Sequence, residues 1–257
     1  MLSFNDWSDD EEEEVNGHQL TSISVSGESS EIAKEILAAV VPEHYAAPDR
    51  LADILRKLGK PAVAKYVETL LPNTPSLRSG DLGEILATEY IDENTEFVVP
   101  IKRLRWKDHR EMAMRGDDAI GVRIPGKKRP IDFLKVEAKS RAALRTSVVR
   151  EARSALDASS GLPTSHALNY VAERAHETGK EDIADAIHRA LLLDGINPQQ
   201  VEHMLFAFSG NNPNGFLKAD LEGYGGAIPQ NSVGLRIDTH QAFIKSVFEE
   251  VAEEHES

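Results

Sequence analysis

Two apolar runs, residues 119–124 and 131–138, flank the turn Pro125-Gly-Lys-Lys-Arg-Pro130, and this pair constrains the fold more than any other feature of the chain. Short aliphatic runs on either side of a Pro/Gly turn predict two antiparallel strands joined as a hairpin. If Ile124 faces Ile131, paired residue numbers sum to 255, which puts Asp118 opposite Glu137. Strand side chains alternate, so Glu137 and Lys139 project from one face while Val136 and Ala138 project from the other, towards a core. Directly opposed residues hold their Cβ atoms about 5 Å apart, a separation at which two carboxylates can share a divalent cation. In this register Asp117 points to the other face; a slip of one residue, or a bulge near Pro130, exchanges the two aspartates.

Around the hairpin the hydrophobic period changes repeatedly. Helical spacing places Ile32, Ile36, Leu37, Val40 and Val41 on one face of a helix that Pro42 is expected to stop. Two short helices follow, through Leu51 to Leu58 and Val63 to Leu70, giving a helical cap over 31–75. A helix over 78–91 carries Glu84, with the small residues Gly80, Ala87 and Thr88 beside it, where a phosphate backbone could approach closely. Residues 97–99 and 101–106 read as strand, 142–157, 164–178 and 181–193 as helix, 201–208 and 233–238 as strand, and 239–254 as helix. This order predicts an α/β domain over 76–257 with a mixed sheet flanked by helices.

Charge divides the chain in the same way. The formal net charge is −14, yet residues 101–155 hold 16 Lys and Arg against 7 acids. The first 30 residues hold eight acids, including Asp9 to Glu14, and no Lys or Arg; they are expected to be a disordered acidic tail that either docks a partner or competes with nucleic acid for the basic middle. No apolar run approaches the roughly 18 residues of a membrane span, and the start is not that of a signal peptide, so a cytoplasmic protein is expected. With no cysteine, any metal must sit on oxygen or imidazole. The nine histidines lack zinc-ligand spacing and no H-E-x-x-H occurs. Oxygen ligation by Asp118 and Glu137 therefore suits Mg²⁺ or Mn²⁺, with Lys139 beside them to position a water or support negative charge.

A helix glutamate, Gly116-Asp-Asp-Ala-Ile-Gly121, a strand ending Glu137-Ala-Lys139 and an Arg-rich helix after it resemble the PD-(D/E)xK nuclease superfamily. More narrowly, Ser79-Gly-Asp-Leu-Gly-Glu-Ile-Leu86, Met114-Arg-Gly-Asp-Asp118 and Val136-Glu-Ala-Lys-Ser140 are similar to the HamA family of the Hachiman anti-phage defence system, over roughly residues 50–250. Asp117 stands where the superfamily pattern has proline, so the resemblance rests on the combination. It implies a restriction-endonuclease-like fold, Mg²⁺-dependent cleavage of DNA, a superfamily 2 helicase as partner, and site residues Glu84, Asp118, Glu137 and Lys139, with Glu84, Asp118 and Glu137 on the metal. Lys127, Lys128, Arg129, Arg141 and Arg145, the last two taken to share a helix face, are then expected to meet phosphate. Two alternatives remain: a catalytically silent DNA- or protein-binding subunit, and a repair or restriction nuclease acting alone.

Overall fold

Six strands form one mixed sheet in the order β1-β2-β6-β5-β4-β3. The computed structural model describes residues 3–114, 116–126 and 130–256. β3 (Ala119–Arg123) and β4 (Asp132–Arg141) are the expected hairpin, paired antiparallel from Ala119↔Val136 to Arg123↔Asp132 in the register read from the sequence. β4, β5 (Val201–Ser209) and β6 (Gln230–Arg236) run parallel, which accounts for their near-continuous burial and their helical crossovers.

The other edge corrects the reading of residues 1–30 as a disordered tail. β1 (Asp9–Val15) and β2 (His18–Ser24) pair antiparallel, and β2 lies parallel to β6. Asn16 and Gly17 turn the chain with φ of 53° and 76°, the left-handed pair that an Asn-Gly hairpin requires. Leu20 and Ile23 of β2 are buried, and Phe4 packs against both Trp7 and Tyr90, while the acids of β1 stay exposed along the sheet edge. Charge on an edge strand discourages pairing with another chain. The acidic strand sits at the opposite edge of the sheet from β3, so it is not a loose tether free to cover the basic middle.

One face of the sheet (Leu134, Val136, Met204, Phe206, Phe208) packs on α1 (Gly27–Tyr45), α4 (Pro75–Asn94) and α9 (His240–Glu256) in one apolar cluster. The same cluster takes in Val63 and Val67 of α3 (Lys60–Leu70), which follows α2 (Pro48–Leu58). The other face packs on α5 (Thr146–Asp157), α6 (Ser165–Glu177), α7 (Glu181–Arg189) and α8 (Asn214–Gly223). Among the described residues no helix is long and apolar enough to cross a membrane.

Three further expectations change. α1 runs through Pro42 to Tyr45, because burial of Val41, Pro42, His44 and Tyr45 outweighs one missing backbone bond. Residues 97–106 are not a strand: Val98 makes an isolated bridge to Val122, and Arg103–Trp106 form a 3-10 turn. α5 starts at Thr146, after a loop in which the Leu144 amide donates to Asn211 Oδ1. Arg141 therefore ends β4 and Arg145 caps α5, and the two do not share a helix face.

Candidate active site

α4 lies close against the end of β4. A Cβ added at Gly83 would stand 3.0 Å from Ser140 Cβ, and Ser79 and Ser140 hydroxyls meet at 2.8 Å. Ala87 and Thr88 are buried in this packing and give phosphate no open access, which corrects the expectation for those two; Gly80 is exposed, with open space where a Cβ would stand. Buried in this interface, α4 carries three acids, Asp81, Glu84 and Glu89. Each meets a cation from the segment after α4: Lys107 Nζ donates to Asp81 at 2.6 and 2.8 Å, Lys102 Nζ to Glu89 at 2.8 Å, and Arg103 to both oxygens of Glu84 at 2.6 and 2.8 Å. These pairs explain why 101–106 leaves the sheet ladder: its cations turn towards α4, since a buried carboxylate without a partner is costly.

Arg103 also reaches the hairpin. Its terminal nitrogens donate to Asp118 Oδ1 at 3.1 Å and to the Asp117 carbonyl at 2.7 Å. Asp118 sits in the bend just before β3; its amide donates to the Val136 carbonyl at 3.2 Å, and its Oδ2 accepts from the Ala138 amide at 2.8 Å. Glu137, on β4, accepts from Lys139 Nζ at 2.7 Å, and Lys139 also donates to Glu151 of α5 at 3.2 Å. Asp117 does not turn away as expected. Its carboxylate lies 3.8 Å from Nζ of Lys135, a buried lysine that shares a face with Glu137 and donates to the Leu156 and Ala158 carbonyls. The bend at Asp117 and Asp118 breaks the alternation that holds from Ala119 onward.

The carboxyls hold their protons unusually tightly. Burial pushes Glu137 up to about 7, and the Asp118 charge adds to the shift against the pull of Lys139. Burial likewise pushes Glu84 up to about 7 despite Arg103, with the Asp118 charge contributing. Asp118 and Asp117 are also raised, first by burial. For Lys139, burial opposes the charge, but its bonds to Glu137 and Glu151 carry it above the usual lysine range. A cleft of about 180 Å³ opens beside these groups, lined by Glu84, Arg103, Asp117 and Asp118 together with Ile101, Tyr170 and Val171; Glu137 and Lys139 do not line it.

Among the described residues, no three carboxylate or imidazole groups converge as a ready-made metal cage. The donor chemistry still fits a hard divalent cation: oxygen ligands only, on clustered carboxyls whose ionised forms burial makes costly. Arg103 and Lys139 already pair with these carboxylates. Arg103 was invisible in the sequence as one of many basic residues; the signal was three acids, Asp81, Glu84 and Glu89, within a helix that is buried along this stretch, where each needs a matching cation.

The basic middle is largely neutralised in the same manner. Arg123 pairs with Asp132 and Glu202, and Arg153 with Asp220. Arg141, Arg145 and Arg150 are exposed and, among the described residues, form no ion pair; Arg141 donates to the Ser140 carbonyl at 2.8 Å. Lys127, Lys128 and Arg129 lie outside the described residues.

With this geometry in view, two comparisons bear on identity. The curated Hachiman protein HamA of Bacillus cereus is 24% identical over 247 residues, covering 94% of this chain and 86% of that one. The model of the HamA family matches residues 2–251, across the sheet, α4 and the carboxylate cluster alike, and the chain belongs to that family.

Proposed function

We propose that this member of the HamA family is an Mg²⁺- or Mn²⁺-dependent deoxyribonuclease that cuts DNA in Hachiman anti-phage defence together with a superfamily 2 helicase. The observation that carries this reading is that Glu137 and Lys139 of β4 pair beside Asp118, whose carboxylate the Ala138 amide holds, and that burial, with the Asp118 charge adding, pushes Glu137 up to about 7. A divalent cation bound there by Asp118 and Glu137 would acidify a water and neutralise charge on a pentacovalent phosphorus. The Ala138 amide fixes the Asp118 carboxylate. Lys139 orients Glu137 and brings a charge to the same surface, where it can hold the attacking water and support the phosphoryl oxygens. Glu84, linked to Asp118 through Arg103, would be the third carboxylate to hold the ion.

The ion pairs themselves favour a second reading. Arg103 and Lys139 already neutralise the carboxylates in part, as they would in a silent DNA- or protein-binding subunit. Linear, circular and single-stranded DNA incubated with Mg²⁺ or EDTA, with and without the helicase, separates the two. EDTA-sensitive cleavage supports the nuclease; its appearance only with the helicase places the chain in a complex, and full activity alone makes it an independent nuclease. DNA left intact in every arm supports the silent subunit.

The exposed arginines give the DNA approach its own test. Replacing Arg141, Arg145 and Arg150 by Ala should flatten the dependence of log K on log salt by up to about 0.9 for each phosphate no longer neutralised, read by fluorescence anisotropy. An unchanged slope moves the DNA path elsewhere.

A further inference from the structure

Arg103 differs from the two lysines that flank it in the row of buried pairs. Lys102 and Lys107 each meet one acid of α4 that has a second fixed partner, His44 on Glu89 and the Tyr45 hydroxyl on Asp81. Arg103 instead divides one terminal nitrogen between Glu84 Oε2 at 2.8 Å and Asp118 Oδ1 at 3.1 Å, and its guanidinium lines the cleft. That nitrogen occupies the space in which a cation shared by the helix and hairpin carboxylates would stand. It is carried on a 3-10 turn outside the sheet ladder, and turning the side chain into the cleft gives up its bonds to Glu84, Asp118 and the Asp117 carbonyl, which the bound ion must offset.

Charge leads to the same conclusion. Ionised Glu84, Asp118 and Glu137 carry three negative charges against the two positive charges of Arg103 and Lys139. Exchange of Arg103 for a divalent ion balances the three carboxylates with Lys139 still in place. The guanidinium, an always-charged planar donor well matched to phosphate, is then released towards the cleft through which a strand would enter.

We infer that Arg103 is an internal stand-in for the metal: its guanidinium holds the cation position between Glu84 and Asp118 closed in the unloaded protein, and divalent-ion binding must displace it. The inference rests on the metal-dependent reading of the site and adds to it a residue that sets metal affinity. Arg103 is thereby a positioning residue whose removal should tighten metal binding, the reverse of what removal of a ligand does.

The test is Mn²⁺ titration of the full chain, followed by electron paramagnetic resonance and by calorimetry, for wild type, Arg103→Gln, Arg103→Lys, Asp118→Asn and Glu137→Gln. Each variant is first checked for a cooperative thermal transition. Arg103→Gln is expected to lower the Mn²⁺ Kd tenfold or more, equivalent to about 1.4 kcal/mol. Arg103→Lys, which cannot bridge both carboxylates, should fall between, and should decide the matter if Arg103→Gln does not fold. Asp118→Asn and Glu137→Gln should lose the site. If wild type binds Mn²⁺ through Asp118 and Glu137 while the Arg103 variants bind equally or more weakly, the stand-in role fails and the metal reading survives. If no protein in the series binds Mn²⁺ at Asp118 and Glu137, both fail.

Discussion

Replacing Glu137 by Gln is expected to lower Mg²⁺-dependent DNA cleavage by about three orders of magnitude while leaving the fold intact. Several kcal/mol of transition-state charge stabilisation rests on a catalytic metal, at about 1.4 kcal/mol per factor of ten, and an amide is a far weaker ligand than a carboxylate. The substitution is nearly isosteric, Gln can still accept from Lys139, and Lys139 keeps Glu151. A gel assay of linear DNA checks the rate and thermal melting checks the fold; a folded variant that still cuts at more than a tenth of the wild-type rate removes Glu137 from the active site. Asp118→Ala and Lys139→Ala should also abolish cleavage, but Asp118 is the less clean test. Its carboxylate accepts from both the Ala138 amide and Arg103, so its removal disturbs the bend as well as the chemistry.

The second large effect is on stability against pH. Folding raises the Glu137 pKa from 4.5 to about 7. Between those values the folded chain keeps a proton that the unfolded chain has lost, so this group's contribution to stability falls as pH rises from about 4.5 to 7 and stays lost above 7. Glu137→Gln cannot ionise and escapes the penalty. Its melting temperature should therefore match wild type near pH 4.5 and exceed it at pH 8 in EDTA, by roughly 2–8 °C for a penalty of about 1–2 kcal/mol in a chain of this size. Mg²⁺ should narrow the difference by stabilising wild type alone. The buried histidines His44 and His240, each held down to about 4 by burial, shift stability in the opposite direction below pH 6.5; they are common to both proteins and cancel in the difference. A difference that is flat across pH contradicts the raised pKa of Glu137, set first by burial and then by the Asp118 charge.

The hairpin was legible because its register depends only on the turn and the alternation of apolar residues, and both survive in β3 and β4. The same logic brought Asp118 beside Glu137, although it misjudged Asp117: alternation applies to extended residues, and the chain bends before Ala119. The acidic hairpin was hidden by its own charge. Six consecutive acids suggest a solvated coil, yet the core takes Leu20 and Ile23 from β2 and only Val15 from β1, whose acids need no more than backbone pairing and a turn; Asn16-Gly17 was the overlooked signal. Arg103 and the departure of 101–106 from the sheet depended on long-range pairing with acids 13 to 26 residues away, which no local period records. The basic middle misled for the same reason, since composition counts charges without showing which are already paired.

The central claim is that Asp118 and Glu137 bind a divalent cation that serves phosphodiester cleavage. Anomalous diffraction from crystals of the full chain soaked in Mn²⁺ tests it directly. A single strong peak about 2.0–2.2 Å from carboxylate oxygens of both Asp118 and Glu137 is the expected result, with the Arg103 guanidinium moved off Asp118. Full occupancy of Mn²⁺ elsewhere, with Asp118 and Glu137 still on Arg103 and Lys139, would contradict the claim.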